Sequence, residues 1–214
     1  QVDPAPGLRS NAMKTTLHLI ATLVAVGLVA GASLSLVNGW AQPLIDANET
    51  KVKMAGVMEV VPGGAASKPI SEVAPGPASA DNLEAYQVLD GQGQVLGWAV
   101  FGEGTGFSDK IRLMVGVSPD LNRTLGIKIL KDSETPGLGT KIREGAYPDQ
   151  FFGRGRPAPG LEAGPLTVVK GAAEAPNEVQ AITGATISSK AVVSIVNESV
   201  SKLRSRIGQG EAGR

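Results

Sequence analysis

An α+β domain behind a single membrane-spanning helix is the fold the sequence predicts, and three patterns predict it. Residues 15–37 run without a charge for long enough to cross a bilayer. Apolar runs over residues 86–130, several of them alternating, read as antiparallel strands. Residues 188–207 carry apolar side chains at helical spacing. With 214 residues and 42% hydrophobic content, the chain can bury the core of one ordinary domain besides its membrane helix.

In chain order, residues 1–13 show no pattern and read as a tail, a remnant or an extended start, with Met13-Lys14 as the expected native beginning. Residues 14–37 form the transmembrane helix. The apolar run is longer than the roughly 7–15 residues usual in a secretory signal, while Ala30-Gly31-Ala32 offers a cleavage-like site as the alternative. Gly27 and Gly31 lie one turn apart beside Ala32, as small residues do where helices pack together in lipid. Arg9 and Lys14 stand on the short side and Asp46 and Glu49 come early on the long side. The positive-inside bias therefore keeps the amino end in the cytoplasm and exports the rest.

Residues 38–80 begin with a membrane-proximal helix after Pro43, with Trp40 at the interface, and continue as a Pro-, Gly- and Ala-rich surface connection from Pro62 to Ala80. Residues 81–207 make the folded domain. Tyr86 to Phe101 reads as a β-hairpin around Asp90-Gly91. Lys110 to Val117 and Thr124 to Leu130 read as strands joined by a turn at Ser118-Pro119-Asp120, and Leu166 to Val169 as another short strand. The expected sheet is mostly antiparallel. The terminal helix turns Val192, Ile195, Val196, Ser199 and Leu203 toward it, and residues 208–214 read as a tail.

The formal charge is zero, so no basic field gathers nucleic acid. Cysteine is absent and the single His18 lies in the membrane span. Iron–sulfur clusters, Cys-attached haem and structural zinc built from this chain's own residues are thereby excluded, and no metal site is expected. An electron carrier held here must be organic. No nucleophile, base and orienter form a catalytic set. The acidic pairs Asp132/Glu134 and Glu72/Asp81 read as solvated loop charges.

Two segments suit a phosphorylated ligand. Thr183-Gly184-Ala185-Thr186-Ile187-Ser188-Ser189 is a narrow, hydroxyl-rich turn that leads into the terminal helix. Amides at a helix start have no intrahelical partner and lie at the positive end of the dipole, so an anion gains hydrogen bonds and field together. Taken alone, the same residues also suit an ordinary helix cap. Upstream, Asp132-Ser133-Glu134-Thr135-Pro136-Gly137-Leu138-Gly139-Thr140-Lys141 joins a fixed proline angle to glycines that let a flat ligand approach.

Glu-Thr-Pro-Gly-Leu-Gly followed by Thr-Gly-Ala-Thr, behind one N-terminal membrane helix, resembles the G subunit of the Rnf ion-translocating electron-transport complex, an FMN-binding domain family. It is similar, more distantly, to the C subunit of the sodium-translocating NADH:quinone reductase. The segment Phe101 to Phe107 (FGEGTGF) and the strand from Lys110 to Val117 also look like the family's. The resemblance implies FMN joined to Thr186 by a phosphoester that a separate flavin transferase makes, with Thr183, Gly184, Ala185 and Ser188 at the phosphate. It places Thr135, Pro136, Gly137, Leu138 and Gly139 along the isoalloxazine ring and Lys170 near its pyrimidine edge, with loop amides favouring the reduced flavin. Family members often carry Asp six residues before the modified Thr, and here that residue is Gln180.

The implied role is an electron carrier, non-catalytic alone, in a complex that couples ferredoxin and NAD electron transfer to ion export. Its implied place is the inner (cytoplasmic) membrane, single-pass, with the C-terminal domain on the periplasmic side. The partners are other membrane subunits and the bilayer. The alternatives are a membrane-anchored binding or scaffold domain without redox work and a flavin-domain regulator of the same superfamily.

Overall fold

The computed structural model describes residues 6–73, 83–152, 161–162 and 164–212. Asp81 and residues 74–80 of the expected connection lie outside the described residues. The chain divides into two units, Gln1–Thr50 and Lys51–Arg214.

The described part of the first unit is helix. Helix α1 runs Pro6–Val60 and continues into the second unit. It carries one stretch long and apolar enough to cross a membrane, and Leu17, Leu23, Leu28 and Leu36 on it are all exposed. The sequence places a new helix after Pro43, whereas the structure carries α1 through that residue. A proline removes one amide donor and crowds the carbonyl four residues back, and α1 runs through it nonetheless.

In the second unit, five strands form an antiparallel meander in the order β1 (Ala66–Pro69), β2 (Ala85–Leu89), β3 (Val95–Thr105), β4 (Lys110–Val117) and β5 (Thr124–Lys131). The hairpin at Asp90 and the two strands after it stand where the alternation places them. Asp90 closes its turn by accepting the amides of Gln92 and Gln94 on one carboxylate oxygen, both at 2.8 Å. Strand β1 and the short helix α2 (Ile70–Val73) lie inside the stretch expected to be plain connection. Its small side chains give no alternation to read, yet a backbone ladder at a sheet edge needs none, and Pro69 sits at the strand's end, where a missing donor is tolerated.

Both faces of the sheet are covered. Alternate residues Ile111, Leu113, Val115 and Val117 of β4 share one core with α4 (Thr186–Ala212). Met114 of β4 joins Val57 and Val60 of α1, and Val61 just past its end, in a second core. Two-sided burial is why β4 reads as a nearly unbroken apolar run. The expected face of α4 is the buried one: Val192, Ile195, Val196, Ser199 and Leu203 are all enclosed. Helix α4 extends beyond the expected span at both ends.

The segment from Leu166 to Val169 does not join the main sheet. Strand β6 (Thr167–Val169) pairs in parallel with β7 (Glu178–Gln180), a strand too short for periodicity to show. Asn197 of α4 holds the start of this pair, its amide oxygen accepting from the Leu166 amide at 2.8 Å and its nitrogen donating to the Leu166 carbonyl at 2.9 Å. Between β5 and β6 lie a 3-10 turn (Gly139–Arg143) and the short helix α3 (Ala146–Asp149).

Candidate functional site

Three separate pieces of the second unit meet at the start of α4. The turn Ile182–Ala185 is closed by the Ala185 amide donating to the Ile182 carbonyl at 2.9 Å. Gly184 has φ +83, the left-handed geometry that glycine adopts without strain. The Ser189 hydroxyl accepts from the Ile182 amide at 3.0 Å and donates to the Ala185 carbonyl at 2.9 Å, so it pins the turn from inside the helix. The first helical bond runs from Ser189 N to Ala185 O at 3.0 Å. The amides of Thr186, Ile187 and Ser188 therefore have no carbonyl one turn back to bind.

The second piece is the loop after β5. The Thr135 carbonyl accepts from the amides of Leu138 at 3.2 Å and Thr140 at 3.3 Å, and the Gly137 amide donates to the Thr140 hydroxyl at 3.0 Å. The loop's own acceptors thus take the amides of Gly137 and Leu138, two of the residues expected along a ring, and that of Thr140. The third piece is the β3–β4 turn, whose Phe107 is 63% exposed.

These pieces enclose a pocket of about 390 Å³ lined by Phe107, Glu134, Thr135, Leu138, Gly139, Gly184, Ala185, Thr186, Ile187 and Ser188. Thr186 is the first residue of α4 and half-buried, and its hydroxyl makes no hydrogen bond among the described residues. Leu138 is 45% and Ile187 56% exposed, so with Phe107 they give the mouth an apolar rim suited to a flat aromatic ring. The pocket depends on small residues. A Cβ on Gly139 would lie 2.7 Å from Glu134, and one on Gly184 would lie 3.1 Å from Leu138.

Of the residues expected at the site, Thr135, Leu138, Gly139, Gly184, Ala185, Thr186 and Ser188 line this pocket. Pro136 and Gly137 stand exposed in the loop beside it. Thr183 is exposed at the turn, and Lys170 is exposed just after β6; neither lines the pocket. Gln180 ends β7, where its amide donates to Gln150 Oε1 at 2.7 Å.

Two carboxylates depart from the expectation of solvated loop charges. Glu134 is 3% exposed and faces the pocket. The Asp132 carboxylate is fully enclosed, with Arg143 Nε 2.8 Å from Oδ2 and Nη2 3.3 Å from Oδ1. The partners of Glu134 come from distant sequence, which no local pattern reveals, and that of Asp132 from the 3-10 turn 11 residues on. Phe107 carries no local sign of a pocket role either, although the glycine segment before it marks the turn.

FMN fits these residues: unpaired helix-start amides and a hydroxyl suit its phosphate, and the apolar rim suits its ring. Residues 106–201 match the FMN-binding domain family. The G subunit of the Na(+)-translocating ferredoxin:NAD(+) oxidoreductase complex of Acetobacterium woodii is 34% identical over 196 residues, covering 87% of this chain and 91% of that protein. The G subunit of the ion-translocating oxidoreductase complex of Methanosarcina acetivorans is 28% identical over 195 residues, covering 91% and 98%. Among solved structures, NqrC of Shewanella oneidensis shares the fold with a TM-score of 0.53 at 22% identity, the match spanning 61% of each chain. Alignment over nearly the whole length of the Acetobacterium protein, together with the FMN-binding match over the very elements that build the pocket, places this chain in the family of Rnf-type G subunits of ion-translocating oxidoreductase complexes.

Proposed function

We propose that this chain is the membrane-anchored electron-carrier subunit of an Rnf-type complex, with FMN esterified through its phosphate to the Thr186 hydroxyl. The observation that carries the reading is the place of Thr186: a hydroxyl without a protein partner among the described residues, at the first position of a long helix, inside a pocket with an apolar rim. Thr186, Ile187 and Ser188 would hold the phosphate through backbone amides, where the helix dipole favours an anion. Gly184 and Ala185 would let it come close, and Phe107, Leu138 and Ile187 would exclude water from the ring. Bound there, FMN supplies the capacity to take up and release electrons that no side chain of this chain has. The protein contributes position, a dry wall and fixed charge.

The apolar stretch of α1 anchors the chain, and the distribution of Arg9, Lys14, Asp46 and Glu49 supports a folded domain on the outer side of the cytoplasmic membrane. A cofactor outside the cell is lost once it dissociates, so a covalent tether suits that side. Other membrane subunits of the complex would supply and accept the electrons, and a separate flavin transferase would form the ester, using Thr183 as part of its recognition sequence.

The test is intact-mass measurement and in-gel flavin fluorescence after denaturation, on the full chain from cells that contain the transferase. A band that stays fluorescent, and a mass raised by one flavin phosphate residue, are expected. Thr186→Ala is expected to be dark and unmodified, and Thr183→Ala only weaker. A wild-type chain at its bare polypeptide mass refutes the ester, and a fluorescent Thr186→Ala refutes the attachment residue.

A further inference from the structure

Glu134 sits where the three walls of the pocket touch. Its Oε1 accepts from the backbone amides of Phe107 at 2.8 Å and Ser108 at 3.2 Å, both in the β3–β4 turn. Its Oε2 accepts from the Ser188 hydroxyl on the first turn of α4 at 2.5 Å. Its own amide donates to Asp132 Oδ1 at 3.2 Å, and Asp132 is in turn held by Arg143. One side chain therefore ties together two segments that lie 26 residues before it and 54 residues after it. Among the described residues no Lys or Arg pairs with it, so its charge is satisfied by hydrogen bonds alone. A carboxylate held by neutral donors in a site of low dielectric keeps most of its field.

We propose that Glu134 is a positioning residue of the flavin site, clamping its three walls in register, and that its fixed negative charge on the pocket wall holds the reduction potential of the bound flavin down. The assignment rests on the FMN reading above. Reduction adds electrons, and hence negative charge, to whatever ring occupies this pocket. A carboxylate in the lining opposes that gain, and it also occupies the amides of Phe107 and Ser108, which would otherwise favour it. The loop's internal use of the Gly137, Leu138 and Thr140 amides acts in the same direction.

Glu134→Gln separates charge from shape. A glutamine oxygen accepts from the same two amides, and its NH2 donates to Ser188, whose hydroxyl then serves as acceptor. The clamp stays and the charge goes. Full-length chain carrying flavin, purified in detergent, is titrated by spectroelectrochemistry. Glu134→Gln is expected to shift the reduction equilibrium about tenfold toward reduced flavin, about 59 mV for a one-electron couple. Ser188→Ala removes a neutral donor and keeps the carboxylate, so its potential is expected at or below that of wild type. An unmoved potential in Glu134→Gln with normal flavin content overturns the assignment alone, as does an upward shift in Ser188→Ala. A wild-type chain without flavin overturns the FMN reading and this assignment together, so the two failures are distinguishable.

Discussion

A glutamate between a serine and a threonine, as Glu134 is, carries no mark of burial in the sequence; its enclosure comes from Phe107, Ser108 and Ser188, which only the fold brings to it. The turn and helix start around Thr186 are legible because their signals are local: a glycine turn, hydroxyls and a helix start lie within a few residues of one another. Tyr147 shows the same division. Burial pushes its phenol well above the ordinary range, and its hydroxyl donates to the Ser189 carbonyl at 2.9 Å while its ring meets Phe151 edge-on at 5.8 Å. It thereby braces the turn of α4 in which the Ser189 hydroxyl holds the Thr183-Gly184 turn. Tyr147→Phe keeps the ring and removes the donor. Because the Ser189 carbonyl lies within α4 and keeps its helical partner, the expected loss is only about 1 kcal/mol. Differential scanning calorimetry should show a melting point lowered by about 2–4 °C, the scale for domains of this size.

Among the elements, the longer strands are the most readable, since alternation marks a strand buried on one face and an unbroken apolar run one buried on both; β4 and β5 stand close to their expected bounds, and β3 runs on past Phe101 to Thr105. The short pieces β1, β7, α2 and α3 are not, because three or four residues contain no full period. The glycine segment at the end of β3 gains a structural reason: a Cβ on Gly104 would lie 2.5 Å from Ile195, so its lack of a side chain is what lets α4 lie close on the sheet. Beside it, Glu103 bridges two residues of β4, accepting from Lys110 Nζ at 2.5 Å and Arg112 Nε at 2.6 Å. The hydrogen bond from Lys110, and next that from Arg112, hold the Glu103 carboxyl below the usual carboxylate range. A depressed folded value means that this contribution is present above the unfolded carboxylate pKa and is lost as pH falls through the folded one. Urea unfolding between neutral pH and about pH 2 should therefore show Glu103→Gln less stable than wild type near neutrality, by about 0.2–1 kcal/mol, with the difference vanishing at the acid end. A constant difference across that range would mean that packing, not charge, sets the effect.

For the molecule as a whole, the long helix α1 serves two environments, and the sequence displayed only one of them. Its apolar stretch announces a bilayer because nothing among the described residues covers it. Its last turns looked merely membrane-proximal, yet Val57 and Val60 are completely buried, and Val61, just past the helix end, nearly so, in the core on the sheet face opposite α4. Full burial of a side chain of this size is worth about 1.5–3 kcal/mol. Three of them together match a large part of the about 5–15 kcal/mol by which a domain is normally stable. Ion pairs from the same segment, Lys53 to Glu84 and Lys128 to Glu59, both at 2.8 Å, tie it further to the sheet. The boundary between the two units accordingly falls at Thr50 rather than at the end of the helix. A chain beginning at Lys51 is expected to be soluble without detergent and to melt cooperatively, with the near-ultraviolet circular dichroism of the full-length protein. A chain beginning at Pro62 lacks all three valines and should give no cooperative melt and bind dyes that report exposed apolar surface. Equal stability of the two shorter chains would show that the end of α1 is only a spacer, and that the sheet's second face needs no cover from it.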